Sequence, residues 1–118
     1  MISLKPNCRI KTLPRGLVLI LYGLYKFVRS RPDLCPAEVV ITSINDSGHS
    51  KNSRHYKDEA VDLRSKNFAP SKKEPFRVAL GVYLNTLCSD CQFTVLLEDL
   101  GTDNEHFHIQ VRKWTKCT

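Results

Sequence analysis

The stretch "EHFHIQVRKW", residues 105–114, alternates in a way only an extended chain explains. His106, His108 and Gln110 fall on one side of such a chain, and Phe107, Ile109 and Val111 on the other. It therefore predicts a strand with a core behind it and a polar row in front. Before it, "QFTVLLEDL" (92–100) reads as a second strand, and "GTDN" (101–104) supplies the turn formers of a hairpin connection. "AVDLRS" (60–65) alternates strictly, with Ala60, Asp62 and Arg64 on one face and Val61 and Leu63 on the other. "EVVITS" (38–43) is a β-branched strand.

Two helices complete the pattern. Pro14 suits a first helical turn, where its missing N–H is not needed. Apolar positions then recur to Val28, and "RSRPD" (29–33) ends the run. "PFRVALGVYLNTLC" (75–88) carries apolar residues at 76, 79, 80, 83, 84 and 87, a helical spacing. Residues 1–13 read as an irregular or extended lead-in, residues 44–58 as a long polar loop, and "KNFAPSKKE" (66–74) as a linker. The order is helix, strand, loop, strand, helix, strand, strand. It predicts an α+β fold: a small antiparallel sheet with two main helices packed on it, in one domain spanning 1–118.

Composition narrows the classes. With 42% apolar and 25% charged residues the 118-residue chain is globular in character. Its net charge of +6 favours acidic partners such as anionic wall polymers, nucleic acid or a membrane surface, but the cations are scattered. "LVLILYGLYKFV" (17–28) is only twelve residues and is broken by Lys26, so a core helix is expected and no membrane span. The opening "MISLKPNCRIKTLPRG" lacks the apolar core of a signal peptide, so reduced thiols are expected. Five cysteines cannot all pair internally. "CSDC" (88–91) has CxxC spacing, but it falls between a helix and a strand instead of opening a helix. Structural thiols are the preferred reading, with a second metal site or a redox role as the alternatives.

All four histidines lie in two places: His49 and His55 in the polar loop, His106 and His108 in the last strand. Taken singly, a His-x-His in a strand is usually a surface feature, and an Asp in an alternating strand is usually solvated. Taken together they point to a site. With the two strands side by side, Asp62, His55, His106 and His108 can converge. Two imidazoles and a carboxylate with one position left open make the donor set of a catalytic zinc ion. Such a centre also needs a carboxylate that is not a ligand, to take and return a proton. Glu98, Glu105 and Asp103 are the candidates, with Glu98 preferred.

"DSGHSKNSRHYKDEAVDLRS" followed by "VLLED…EHFHIQV" resembles the superfamily that joins zinc D-alanyl-D-alanine carboxypeptidases and dipeptidases, phage endolysin peptidases and the hedgehog signalling domain. Ser53, His55, Ala60, Asp62, His106 and His108 match its pattern in order and spacing, over about residues 38 to 112. The resemblance implies that His55, Asp62 and His108 bind Zn2+, with His106 and His49 as nearby active-site groups. It makes Glu98 the catalytic carboxylate in one branch of the family and Glu105 in another. The glycine usual after the first histidine is Asp58 here, a residue type that tolerates a left-handed backbone. The arginine that grips substrate in the peptidase branch has no secure counterpart; Arg9, Arg15 and Arg31 are candidates.

The resemblance thus implies a zinc metallopeptidase that hydrolyses the peptide of bacterial peptidoglycan, as a D,D-carboxypeptidase or an endolysin-type endopeptidase. A monomer is expected. A phage-encoded enzyme would be made in the cytoplasm and act on the cell wall. The first alternative is a non-catalytic, zinc-containing, hedgehog-like binding domain. The second is a small basic nucleic-acid-binding domain, which explains the charge but leaves the histidines without a purpose; no basic recognition helix or aromatic stacking row is evident.

Overall fold

The computed structural model describes residues 1–8, 10, 15–44, 59–89 and 91–114. Five strands and two helices follow in the order β1 (Ile2–Leu4), α1 (Arg15–Ser30), β2 (Val39–Ser43), β3 (Ala60–Arg64), α2 (Pro70–Leu84), β4 (Cys91–Glu98) and β5 (His106–Trp114), with a short 3-10 turn at Pro32–Leu34. The fold is α+β, as the pattern predicts. The strands form one sheet in the order β1-β2-β3-β5-β4.

The sheet is mixed, which corrects the expected antiparallel one. β1 runs parallel to β2, pairing Ile2 with Val39 and Leu4 with Ile41, while every other pair is antiparallel. The reason is the crossover. A parallel pair needs a connection of a dozen residues or more, and α1 supplies it. Three residues at the extreme start are too few to show alternation, so the lead-in hides a strand that only its partner reveals.

α1 forms where apolar residues recur at 17, 20, 24, 27 and 28, and those side chains are the buried ones. At Gly23 the helix lies so close to α2 that an added Cβ would collide with Leu84 and stand 2.8 Å from Leu87. The helix stops at Ser30, where the hydroxyl donates to the Phe27 carbonyl at 3.1 Å and Pro32 bars further turns.

α2 begins at Pro70, not at Pro75, so much of the expected linker is helical. Pro70 occupies a first-turn position, where proline is at home. Pro75 is carried inside the helix on an exposed flank; its ring removes one i to i−4 bond, and Ser71, four residues before it, is exposed as well. The helix also ends earlier than its periodicity predicts. The Asn85 amide accepts from the Phe93 N–H at 2.8 Å and donates to the Phe93 carbonyl at 3.0 Å. That pairing ties the helix end to β4.

Both helices pack on one face of the sheet. Phe27, Phe68, Phe76 and Phe107 meet there, with Phe76 and Phe107 centroids 5.1 Å apart and Phe68 and Phe107 5.0 Å apart. Val61, Leu63, Ile109 and Val111 add fully buried aliphatic surface. The hairpin between β4 and β5 closes through left-handed backbone at Asp99 and Gly101.

Candidate functional site

The strand register orders the other face of the sheet. Arg64, His106 and Glu98 lie in one cross-strand row. Asp62, His108 and Leu96 make the next, and Ala60, Gln110 and Thr94 the third. Residues two apart on a strand share a face, so these rows stack into one polar surface.

Within it, His108 Nδ1 lies 2.8 Å from Asp62 Oδ1, and His108 Nε2 lies 2.6 Å from Gln110 Oε1. Burial is the largest single influence on the His108 ring and disfavours its charge. The hydrogen bonds to Asp62 and Gln110 and the charges of Asp62 and Glu98 together outweigh it, so the pKa lies above the ordinary value. Without a metal, that pair therefore contributes stability fully below the ordinary histidine pKa and loses it as pH rises through the folded value.

His106 is held from both sides. Its Nδ1 donates to the Asn104 carbonyl at 2.6 Å, and its Nε2 lies 3.1 Å from Glu98 Oε1. The same nitrogen is 4.0 Å from Asp62 Oδ2. Four of the expected site residues, Asp62, Glu98, His106 and His108, thus stand together. His49, His55 and Ser53 lie outside the described residues, as do Asp58 and Arg9.

Glu105 is in a different position from Glu98. One of its oxygens accepts from Ser65 Oγ and from Lys73 Nζ, both at 2.6 Å, and the other accepts from the Gly101 N–H at 3.1 Å. The side-chain hydrogen bonds from Lys73 and Ser65, aided by the Gly101 N–H, hold its pKa down at about 2. This carboxylate ties α2, the end of β3 and the hairpin turn together. Asp103 is exposed and stands 3.5 Å from Lys66. Arg15 donates to Cys88 Sγ at 3.1 Å, and Arg31 makes a two-point pair with Asp33. Cys88 is half-buried and Cys91 is buried.

The donor chemistry suits zinc. One carboxylate and two imidazoles sit side by side on a rigid sheet, and these are ligand types zinc accepts in a catalytic centre. Among the described residues, no three His, Cys, Asp or Glu side chains form a ready metal cluster. The third ligand implied by the resemblance, His55, is outside them.

Sequence reasoning passed over two cations near the site. Arg64 shares its face with Asp62, a placement strand alternation already makes visible. Lys5 comes alongside because β1 pairs with β2, and no sequence signal announces that. No helix among the described residues is long and apolar enough to cross a membrane. Compared with protein-family models, with curated proteins and with solved structures, the chain matches none.

Proposed function

We propose that this chain is a zinc-dependent metallopeptidase of the hedgehog and D,D-peptidase type, hydrolysing peptide bonds of bacterial peptidoglycan. One observation carries the reading: Asp62 opposes His108 and Glu98 opposes His106 on a single face of the sheet. In this reading His55, Asp62 and His108 are the metal ligands. Zinc bound there would polarise the scissile carbonyl and bring the pKa of a bound water towards neutrality.

The chain's own groups do the rest. Asp62 and His108 orient one another through their 2.8 Å contact. Glu98, with 41% of its side chain exposed, takes the water's proton and hands it to the leaving amine. His106 is fixed by the Asn104 carbonyl and presents Nε2 beside Glu98, so it can share that proton or donate to the developing oxyanion. A second reading is a zinc-containing binding domain without hydrolysis. It draws support from the His106–Glu98 contact, which keeps that carboxylate engaged.

The test begins with metal content. Protein purified without added metal should carry about one zinc per chain, lost in the His55→Ala, Asp62→Ala variant. Glu98→Gln should keep the zinc and slow digestion of peptidoglycan fragments by roughly 10²–10⁴-fold. Unchanged digestion by Glu98→Gln would exclude Glu98 as the base. Zinc without any digestion by the native chain would favour the binding domain.

A further inference from the structure

The turn between β4 and β5 is organised around Thr102, an exposed residue that carries no role in the reading above. Its N–H donates to the Asp99 carbonyl at 3.1 Å, and its hydroxyl donates to the same carbonyl at 2.7 Å. That hydroxyl accepts the Asn104 N–H at 3.2 Å, and the Thr102 carbonyl accepts the Glu105 N–H at 3.2 Å. An exposed threonine in a turn is usually solvated; here its hydroxyl and both its backbone groups are turned inward onto the hairpin. The Glu105 carboxylate closes the other side by accepting the Gly101 N–H at 3.1 Å.

One of these bonds reaches the site. The Glu105 N–H and the Asn104 carbonyl belong to the same peptide unit. That unit is planar and trans, so the two groups point in opposite directions. Holding the N–H on the Thr102 carbonyl therefore aims the Asn104 carbonyl the other way, where it accepts from His106 Nδ1 at 2.6 Å. A carbonyl oxygen only accepts, so Nδ1 carries a proton, and the ring presents Nε2 to Glu98 Oε1 at 3.1 Å. We propose that Thr102 is a positioning residue: through the peptide between Asn104 and Glu105 it fixes the orientation of His106 and which ring nitrogen holds the proton. The two bonds run in one sense, from Thr102 through the peptide to the ring, so each polarises the next. The ring geometry stands on these contacts alone, whereas its effect on rate rests on the peptidase reading. A reacting group displaced by about 1 Å can lose on the order of 10²-fold in rate, so a backbone partner that cannot rotate away is a means of keeping Nε2 in place.

The experiment is imidazole nitrogen-15 NMR on the full chain with zinc added, alongside digestion of peptidoglycan fragments. The His106 signals are identified by their loss in His106→Gln. In the native chain the Nδ1 proton should be visible and slow to exchange. Thr102→Val keeps the shape and the backbone groups but removes the hydroxyl that braces them. It should broaden or abolish the Nδ1 proton signal and lower kcat about ten-fold, with KM changed by less than about two-fold. Thr102→Ser, which keeps the hydroxyl, should restore both. A bare Nδ1 in the native chain, or an unchanged His106 signal in Thr102→Val, overturns the proposal. A role confined to stability would lower the unfolding midpoint and leave that signal where it is. If Thr102→Val does not fold, amide exchange in the native chain decides: a Glu105 N–H that exchanges as fast as an open turn amide overturns the proposal. A disturbed His106 signal in a chain that never cleaves leaves the positioning standing and removes the peptidase reading. Cleavage with kcat and the His106 signal both unchanged in Thr102→Val does the reverse.

Discussion

Strands β3, β5 and β4 present two faces built from alternate residues of the same three segments, and the two faces behave as different materials. On one, Val61, Leu63, Val95, Phe107 and Ile109 are at most 4% exposed, pressed against the helices. On the other, Asp62, Arg64, Glu98, His106 and Gln110 face open space or a cleft. The contrast repeats in two glutamates seven positions apart. Glu105 is 5% exposed and wrapped by three donors, whereas Glu98 keeps 41% of its side chain in solvent and, among the described residues, hydrogen-bonds through its carboxylate to His106. A carboxylate held low by several donors is a poor proton acceptor, and this one links α2, the end of β3 and the hairpin turn. The half-exposed one, in contact with an imidazole, stays open to solvent. Stability should therefore reside on one face and chemistry on the other.

The sharpest challenge to that division is Phe107→Ala. The ring is fully buried between Phe68 and Phe76, and truncation should cost about 3–5 kcal/mol in denaturant unfolding. A cost below about 1 kcal/mol would mean the helix side is not the stabilising face. Next is Glu105→Gln, which leaves Lys73 without its anion and should cost on the order of 2 kcal/mol at neutral pH. The folded pKa of Glu105 lies at about 2, below its ordinary 4.5. Its contribution is present above about 4.5 and is lost as pH falls towards 2. Stability curves of the native chain and the variant should therefore converge across that acid range; parallel curves would show that the ionised carboxylate does not brace the hairpin. The smallest effect is expected on the polar face. Thr94→Ala, opposite Gln110, should shift unfolding by no more than about 0.5 kcal/mol. A shift several times larger would make the polar face structural too and dissolve the comparison.

Much of this arrangement was legible in the chain. Alternation assigned the faces correctly for 60–64 and 106–111, with the histidines in front and Phe107 and Ile109 behind. Helical spacing located both helices but misjudged the ends of α2. Proline at the first position and an asparagine that pairs with a distant strand outweigh apolar period at those ends. Glu105 shows the same limit. Its spacing from His108 marks it as a candidate base, yet three donors from Ser65, Lys73 and Gly101 surround it, and none of them is predictable from its neighbours in sequence.

The amino-acid sequence by itself determined which residues face the core and which face out, because side-chain direction follows from the two-residue period of a strand and the 3.6-residue period of a helix. It also determined the set of imidazoles and carboxylates available for chemistry. Only the tertiary structure decided that β1 lies parallel to β2, that Lys5 and Arg64 border one cleft, and which glutamate is braced and which is open. Those outcomes depend on contacts between segments far apart in the chain, and local periodicity carries no information about register or neighbours at that range.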